Sequence, residues 1–124
     1  MSYDAHANFA SSLVVTAPVP ATSGTSLTVT TGEASRFPAV PFNATVLPAN
    51  TMPTPLNAEI VRVTAIVGDT LTITRAQESS TAMPIAAGYY IANTITVKTI
   101  TDIESAVGSS MTQPQVLARV FCHC

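Results

Sequence analysis

Glu59 to Arg75 is the stretch that most restricts what this chain can fold into. It reads Glu-Ile-Val-Arg-Val-Thr-Ala-Ile, then Val-Gly-Asp-Thr, then Leu-Thr-Ile-Thr-Arg. Two β-branched runs flank a Gly-Asp pair, the pattern of an antiparallel hairpin. Leu71 and Ile73 alternate with Thr70, Thr72 and Thr74, giving the second strand one apolar and one hydroxylated face. On the first strand Val61, Val63 and Ala65 share one face; Ile60, Arg62, Thr64 and Ile66 share the other. Turn chemistry and apolar pattern disagree about register. A two-residue type II′ turn, with Gly68 supplying the positive φ, pairs Ile66 with Leu71 and Val63 with Thr74. Matching the apolar faces instead asks for a three-residue loop that sets Val63 opposite Arg75. A slip of one residue flips every side chain, so one signal must yield. The turn chemistry sets the expected register, with both faces of the hairpin partly covered by protein.

The remaining strands follow in short, evenly spaced pieces. Leu13-Val14-Val15 is a strand candidate stopped by Pro18 and Pro20. Ser26 to Thr30 alternates after a Ser23-Gly24 turn, and Phe42 to Leu47 follows a proline-held segment beginning at Phe37. Leu47 to Pro55, with three prolines around Asn50, reads as an exposed loop. Tyr89 to Ala92 and Thr94 to Ile100 are further strand candidates. Thr101-Asp102-Ile103-Glu104 fits a capping box, with Thr101 as N-cap and Gly108 placed to end a helix of barely two turns. Gln115 to Cys124 reads as a last strand after a linker. About seven short strands at roughly ten-residue spacing with one small helix indicate a mainly β fold, an antiparallel sandwich or small barrel. No crossover helices are available for a parallel α/β sheet. The expected organisation is an extended N-terminal arm over 1–25, a β-domain over 26–108, and a linker with a C-terminal strand over 109–124. The arm carries apolar pegs at Tyr3, Phe9 and Leu13. It is either a frayed terminus or a peptide that docks on a neighbouring subunit.

Charge narrows the classes of partner. Of 124 residues only 10% are charged, against roughly 25% in an ordinary domain. Five basic residues and a net charge of −2 do not make the clustered cation that nucleic acid requires. No apolar run approaches the ~20 residues of a membrane span, and no secretory signal is expected, since the N-terminus lacks a basic region followed by an apolar core. Threonine and serine hydroxyls can keep so charge-poor a surface soluble. Burial of much of that surface in contacts between subunits is the stronger reading.

Several segments together resemble one known domain. They are Tyr3 to Phe9, Ala21 to Leu27, Phe37-Pro38-Ala39 with Pro41 to Val46, Glu59 to Thr64, and Leu71 to Glu78, in that order. This ordered set is similar to a domain that recurs in tailed-bacteriophage virion proteins, common at the N-terminus of tail-fibre, head-fibre and related appendage proteins. The likeness runs from Tyr3 to about Ile103. Many phage versions carry Gly where this chain has Ala76, a difference that bears on loop conformation. Fibres with this domain often continue into a long shaft, whereas this chain ends shortly after Ile103, so the expectation is a fibre base or decoration protein. The resemblance implies a structural role in a virion assembled in the host cytoplasm, with other virion proteins and further copies of itself as partners. The analogy with fibre proteins implies a trimer.

Reactive side chains give little to set beside that. Cys122-His123-Cys124 offers soft ligands, but a structural zinc needs four, and His6 is the only other soft donor. No metal or other cofactor is expected. Two residues apart on one face of a strand, Cys122 and Cys124 lie too far from each other to bridge comfortably, so they are either free thiols or partners in disulfides between chains. Asp102 and Glu104 suit a first helical turn, Asp69 suits its turn, and Glu59 with Arg75 reads as a cross-strand or nearby pair. Neither histidine has a nucleophile beside it in a recognisable signature. Asn43-Ala44-Thr45 matches a glycosylation sequon of the kind that arises by chance. An enzyme is not expected. Two functions remain: a structural virion protein that docks on capsid, neck or tail, or a host receptor or glycan binding module using the Leu47–Leu56 loop. That loop lacks the exposed aromatics of a sugar platform.

Overall fold

The computed structural model describes residues 4–110. Six strands close into an antiparallel barrel: β1 (Ser11–Thr16), β2 (Ser26–Val29), β3 (Phe42–Pro48), β4 (Glu59–Val67), β5 (Thr70–Thr74) and β6 (Tyr89–Ala92). Around the barrel they run β1-β2-β5-β4-β3-β6, and β6 returns to pair with β1. Asp4–Thr94 forms one compact unit, and Ile95 opens another, which holds helix α1 (Val97–Ser110). The mainly β expectation holds, as a barrel.

Strand alternation fills the interior. Val14, Leu27, Val29, Phe42, Ala44, Val46, Val61, Val63, Leu71, Ile73 and Ile91 are all buried in one core. Burying a side chain of this size contributes roughly 1.5–3 kcal/mol. The connections supply the plugs. Phe37, from the crossing between β2 and β3, stacks on Phe42 with ring centroids 5.7 Å apart, and Ile85 comes from the connection between β5 and β6. Strand directions place the connections 17–25, 49–58 and 75–88 at one end, and 30–41 with the Gly68-Asp69 turn at the other.

The central hairpin satisfies both of its competing signals. Val67 pairs with Thr70 and Ile66 with Leu71 across a two-residue turn, with Gly68 at φ 61°. The ladder then shifts between Val63 and Ala65, so Val63 faces Ile73 and Arg62 faces Thr74. Thr64 is the extra residue of a β-bulge, which swings Val61 and Val63 onto the buried face beside Ile73. The expected pairing of Val63 with Thr74 is therefore corrected, and so is the premise that the two signals exclude each other. The residue that reconciles them is inserted in the strand, not in the loop.

Two further expectations are corrected. The arm over 1–25 contains β1, a full member of the barrel. Ser11, Ser12 and Leu13 pair with Ala92, Ile91 and Tyr90, while Val14 and Ala10 are buried. The prolines after Thr16 end the strand without detaching it, because it pairs with β2 just beyond them and with β6 far along the chain. Thr94 to Ile100 is not a strand. Helix α1 begins at Val97, and the Thr96 amide donates to Thr99 Oγ1 at 3.3 Å. The capping-box logic applies five residues earlier than Thr101 and Glu104, and the helix runs past Gly108 for fourteen residues in all. The proposed strand over Gln115 to Cys124 lies outside the described residues.

Candidate docking surface

Polar side chains of the barrel form three local networks, each spent on holding the fold. At the end that carries connections 17–25 and 75–88, Arg75 and Glu59 make a bidentate pair. Nε and Nη2 donate to Oε2 and Oε1, both at 2.8 Å. Nη1 also donates to the carbonyls of Ala21 and Gly24, and Nη2 to that of Met83. The Glu59 carboxylate accepts the main-chain amides of Ala76 and Met83 as well. Every guanidinium N–H has an acceptor, and each carboxylate oxygen takes two bonds. The pair is buried, with side chains 8% and 0% exposed. Burial by itself raises the Glu59 pKa. The hydrogen bonds from Arg75, Met83 and Ala76, and the Arg75 charge, outweigh it and hold the carboxyl below its ordinary value.

A second network fastens the N-terminal segment to the barrel wall. Arg62 donates to both Asp4 oxygens, at 3.1 and 3.0 Å, and to Asn43 Oδ1 at 2.9 Å. Asn43 Nδ2 donates to Glu78 at 2.6 Å. The third joins Ser12 Oγ to Glu33 at 2.7 Å, and Glu33 to Arg36, whose Nη1 donates to the Ser11 carbonyl. It pins the 3-10 turn Glu33–Arg36 against β1. Asp69 Oδ1 accepts the Gly32 amide, and Asp102 pairs with Lys98 along α1. Chemically, these contacts clamp loops and turns onto the strands. Among the described residues, no group of three His, Cys, Asp or Glu side chains could hold a metal ion.

The barrel wall itself is two-sided. Outside β2 and β5 lie hydroxyls: Ser26 opposite Thr72, and Thr28 opposite Thr70 with Oγ1 atoms 3.3 Å apart. Outside β1 and β6 lie apolar groups. Leu13, Val15 and Tyr90 are exposed, with Leu13 directly opposite Tyr90, so they share a face. Val15 is the extra residue of a bulge between Val14 and Thr16. Phe9, at φ 58° just before β1, is 90% exposed. Of the predicted docking residues, Phe9 and Leu13 therefore present apolar surface, but from a segment anchored at both Asp4 and β1. Tyr3, Cys122 and Cys124 lie outside the described residues.

Sequence reasoning missed Val15 and Tyr90 as surface residues. The bulge hid the first, and the pairing of β1 with β6 hid the second. No family model matches the chain, and no curated protein matches it significantly.

Proposed function

We propose that this chain is a structural protein of a tailed-phage virion, a small barrel that docks on the capsid, neck or tail and anchors or stabilises an appendage there. It works as a homo-oligomer, a trimer by analogy with fibre proteins, beside other virion proteins. The observation that carries this reading is the apolar wall of Leu13, Val15 and Tyr90, with Phe9 close by in sequence, set on a barrel whose other wall is hydroxylated. Large exposed apolar and aromatic groups gathered on one side mark an interaction surface. The ordered resemblance to phage appendage proteins adds the setting. Six of the seven described carboxylates, Asp4, Glu33, Glu59, Asp69, Glu78 and Asp102, are engaged in structural contacts, which supports a role in assembly over one in catalysis.

A receptor or glycan role would fall to the 49–58 loop. It exposes Met52 and Leu56 but no aromatic ring, so docking fits better. Mass spectrometry of purified particles should detect the chain. A Leu13→Asp/Tyr90→Ser variant should melt like the parent and be missing from particles. Normal incorporation of that variant would reject the docking wall, and absence of the parent chain from particles would reject the virion role.

A further inference from the structure

The connection between β5 and β6 is fastened differently from the strands it joins. Among the described residues, the core cluster passes from Ile73 to Ile85, and none of residues 76–84 is buried. Residues 76–83 are tied by polar bonds to the start of β4. The amides of Ala76 and Met83 donate to the Glu59 carboxylate, and Arg75 Nη2 donates to the Met83 carbonyl. Strand β5 stops at Thr74, opposite Arg62, two residues short of Ile60. Gln77 and Ser80 take its place there. The Gln77 amide donates to the Ile60 carbonyl at 2.7 Å, and Ser80 Oγ accepts the Ile60 amide at 2.9 Å. The segment is also strained. Ala76, Glu78 and Ser79 lie at φ 52°, 52° and 65°, the left-handed region that is costly for any residue with a Cβ.

We infer that residues 76–83 form a flap that opens as a unit while the barrel stays closed. Its bonds converge on Glu59, Ile60 and Arg75, with Asn43 donating to Glu78 between them, so they are made and broken together. Opening exposes little apolar surface, and it lets three left-handed residues relax. Both effects set this segment at the low end of local stability, below strands that are locked by the core. Opening changes one end of the barrel in two ways. Water reaches the Glu59 carboxylate and the Arg75 guanidinium, and the N–H and C=O of Ile60 are bared. Unpaired strand groups of that kind invite pairing with another chain, so the closed flap guards a short edge of β4. The pairing of β1 with β6 lies outside the segment. The inference is therefore independent of the docking wall and of the function proposed above.

Native-state hydrogen exchange of the full chain, followed residue by residue in a series of urea concentrations below the unfolding transition, tests it. The hydrogen-bonded amides of Gln77, Ser80 and Met83 report on the flap, and that of Ile73, which donates to the Thr25 carbonyl, reports on the barrel. Relative to their intrinsic rates, the flap amides should exchange at least about tenfold faster than Ile73 and respond only weakly to urea, because local opening exposes little surface. Ile73 should respond steeply. A core substitution away from the flap, Val29→Ala, should speed exchange at Ile73 by about tenfold or more and leave the flap amides unchanged. Ser80→Ala, which removes the bonds to Ile60, should speed the flap amides by up to about tenfold. Equal urea slopes for the two sets, or acceleration of both by Val29→Ala, would make the segment part of the barrel's own cooperative unit and overturn the flap. If Val29→Ala fails to fold, the urea series on the parent chain decides alone.

Discussion

Glu59 and Arg75 are fully paired only with each other and with loop carbonyls and amides, so removing either strands a buried charge. Glu59→Ala should cost about 3–5 kcal/mol in urea unfolding. Arg75→Lys keeps the charge but cannot reproduce the fork of donors, and should cost about 3 kcal/mol through lost charged hydrogen bonds. The pH response follows from the depressed Glu59 pKa. The pair's contribution is complete above the unfolded carboxylate value of about 4.3 and is lost as pH falls through the lower folded value. Melting temperatures of the parent and Glu59→Gln should therefore differ most near neutrality and converge in acid. Ala76 shows what the pair imposes on the backbone. Its amide must reach Glu59 Oε2, and it sits at φ 52°, in the left-handed region. Ala76→Gly removes that strain but frees the unfolded chain, so a net gain below about 1 kcal/mol is expected by thermal melting.

Legibility differs between the elements. The hairpin of β4 and β5 was readable because alternation and turn chemistry are local. The bulge at Thr64 was not, because the conflict it resolves shows only once Val61 and Val63 have a core to face. Strand β1 was misjudged for a related reason. Residues 1–12 hold few apolar groups and Pro18 follows closely, while β6, which closes the barrel onto the strand, sits about eighty residues away. The start of α1 was obscured by Ile95 and Val97, which alternate with Thr94 and Thr96 as a strand would. Spacing could suggest that Glu59 and Arg75 pair, but their burial depends on the 17–25 and 75–88 connections folding over them. Likewise Leu13 could be listed as apolar, while its place opposite Tyr90 needed the closed sheet. Membership of β1 in the barrel has a direct test. Deleting residues 1–12 removes Ser11 and Ser12, with the Glu33 bond and part of the β6 ladder. The truncated chain should lose its cooperative melt by circular dichroism. A normal melt would return those residues to the status of a loose arm.

For the whole molecule, closure has a consequence in time. The wall is complete only when Ser11 meets Ala92, and β6 is the last of the six barrel strands to be made. While the ribosome is still producing residues 75–88, β1 and β3 each lack a neighbour, and the apolar side chains of five strands wait without a sealed interior. Such distant pairing is slow to form and leaves strand edges open to other chains meanwhile. A chain ended at Gly88 should accordingly give no cooperative transition and aggregate, although it retains most of the core residues. Productive folding in the cell then belongs to the moments after β6 has emerged from the exit tunnel, and a nascent chain stalled before that point is a substrate for chaperones or proteases.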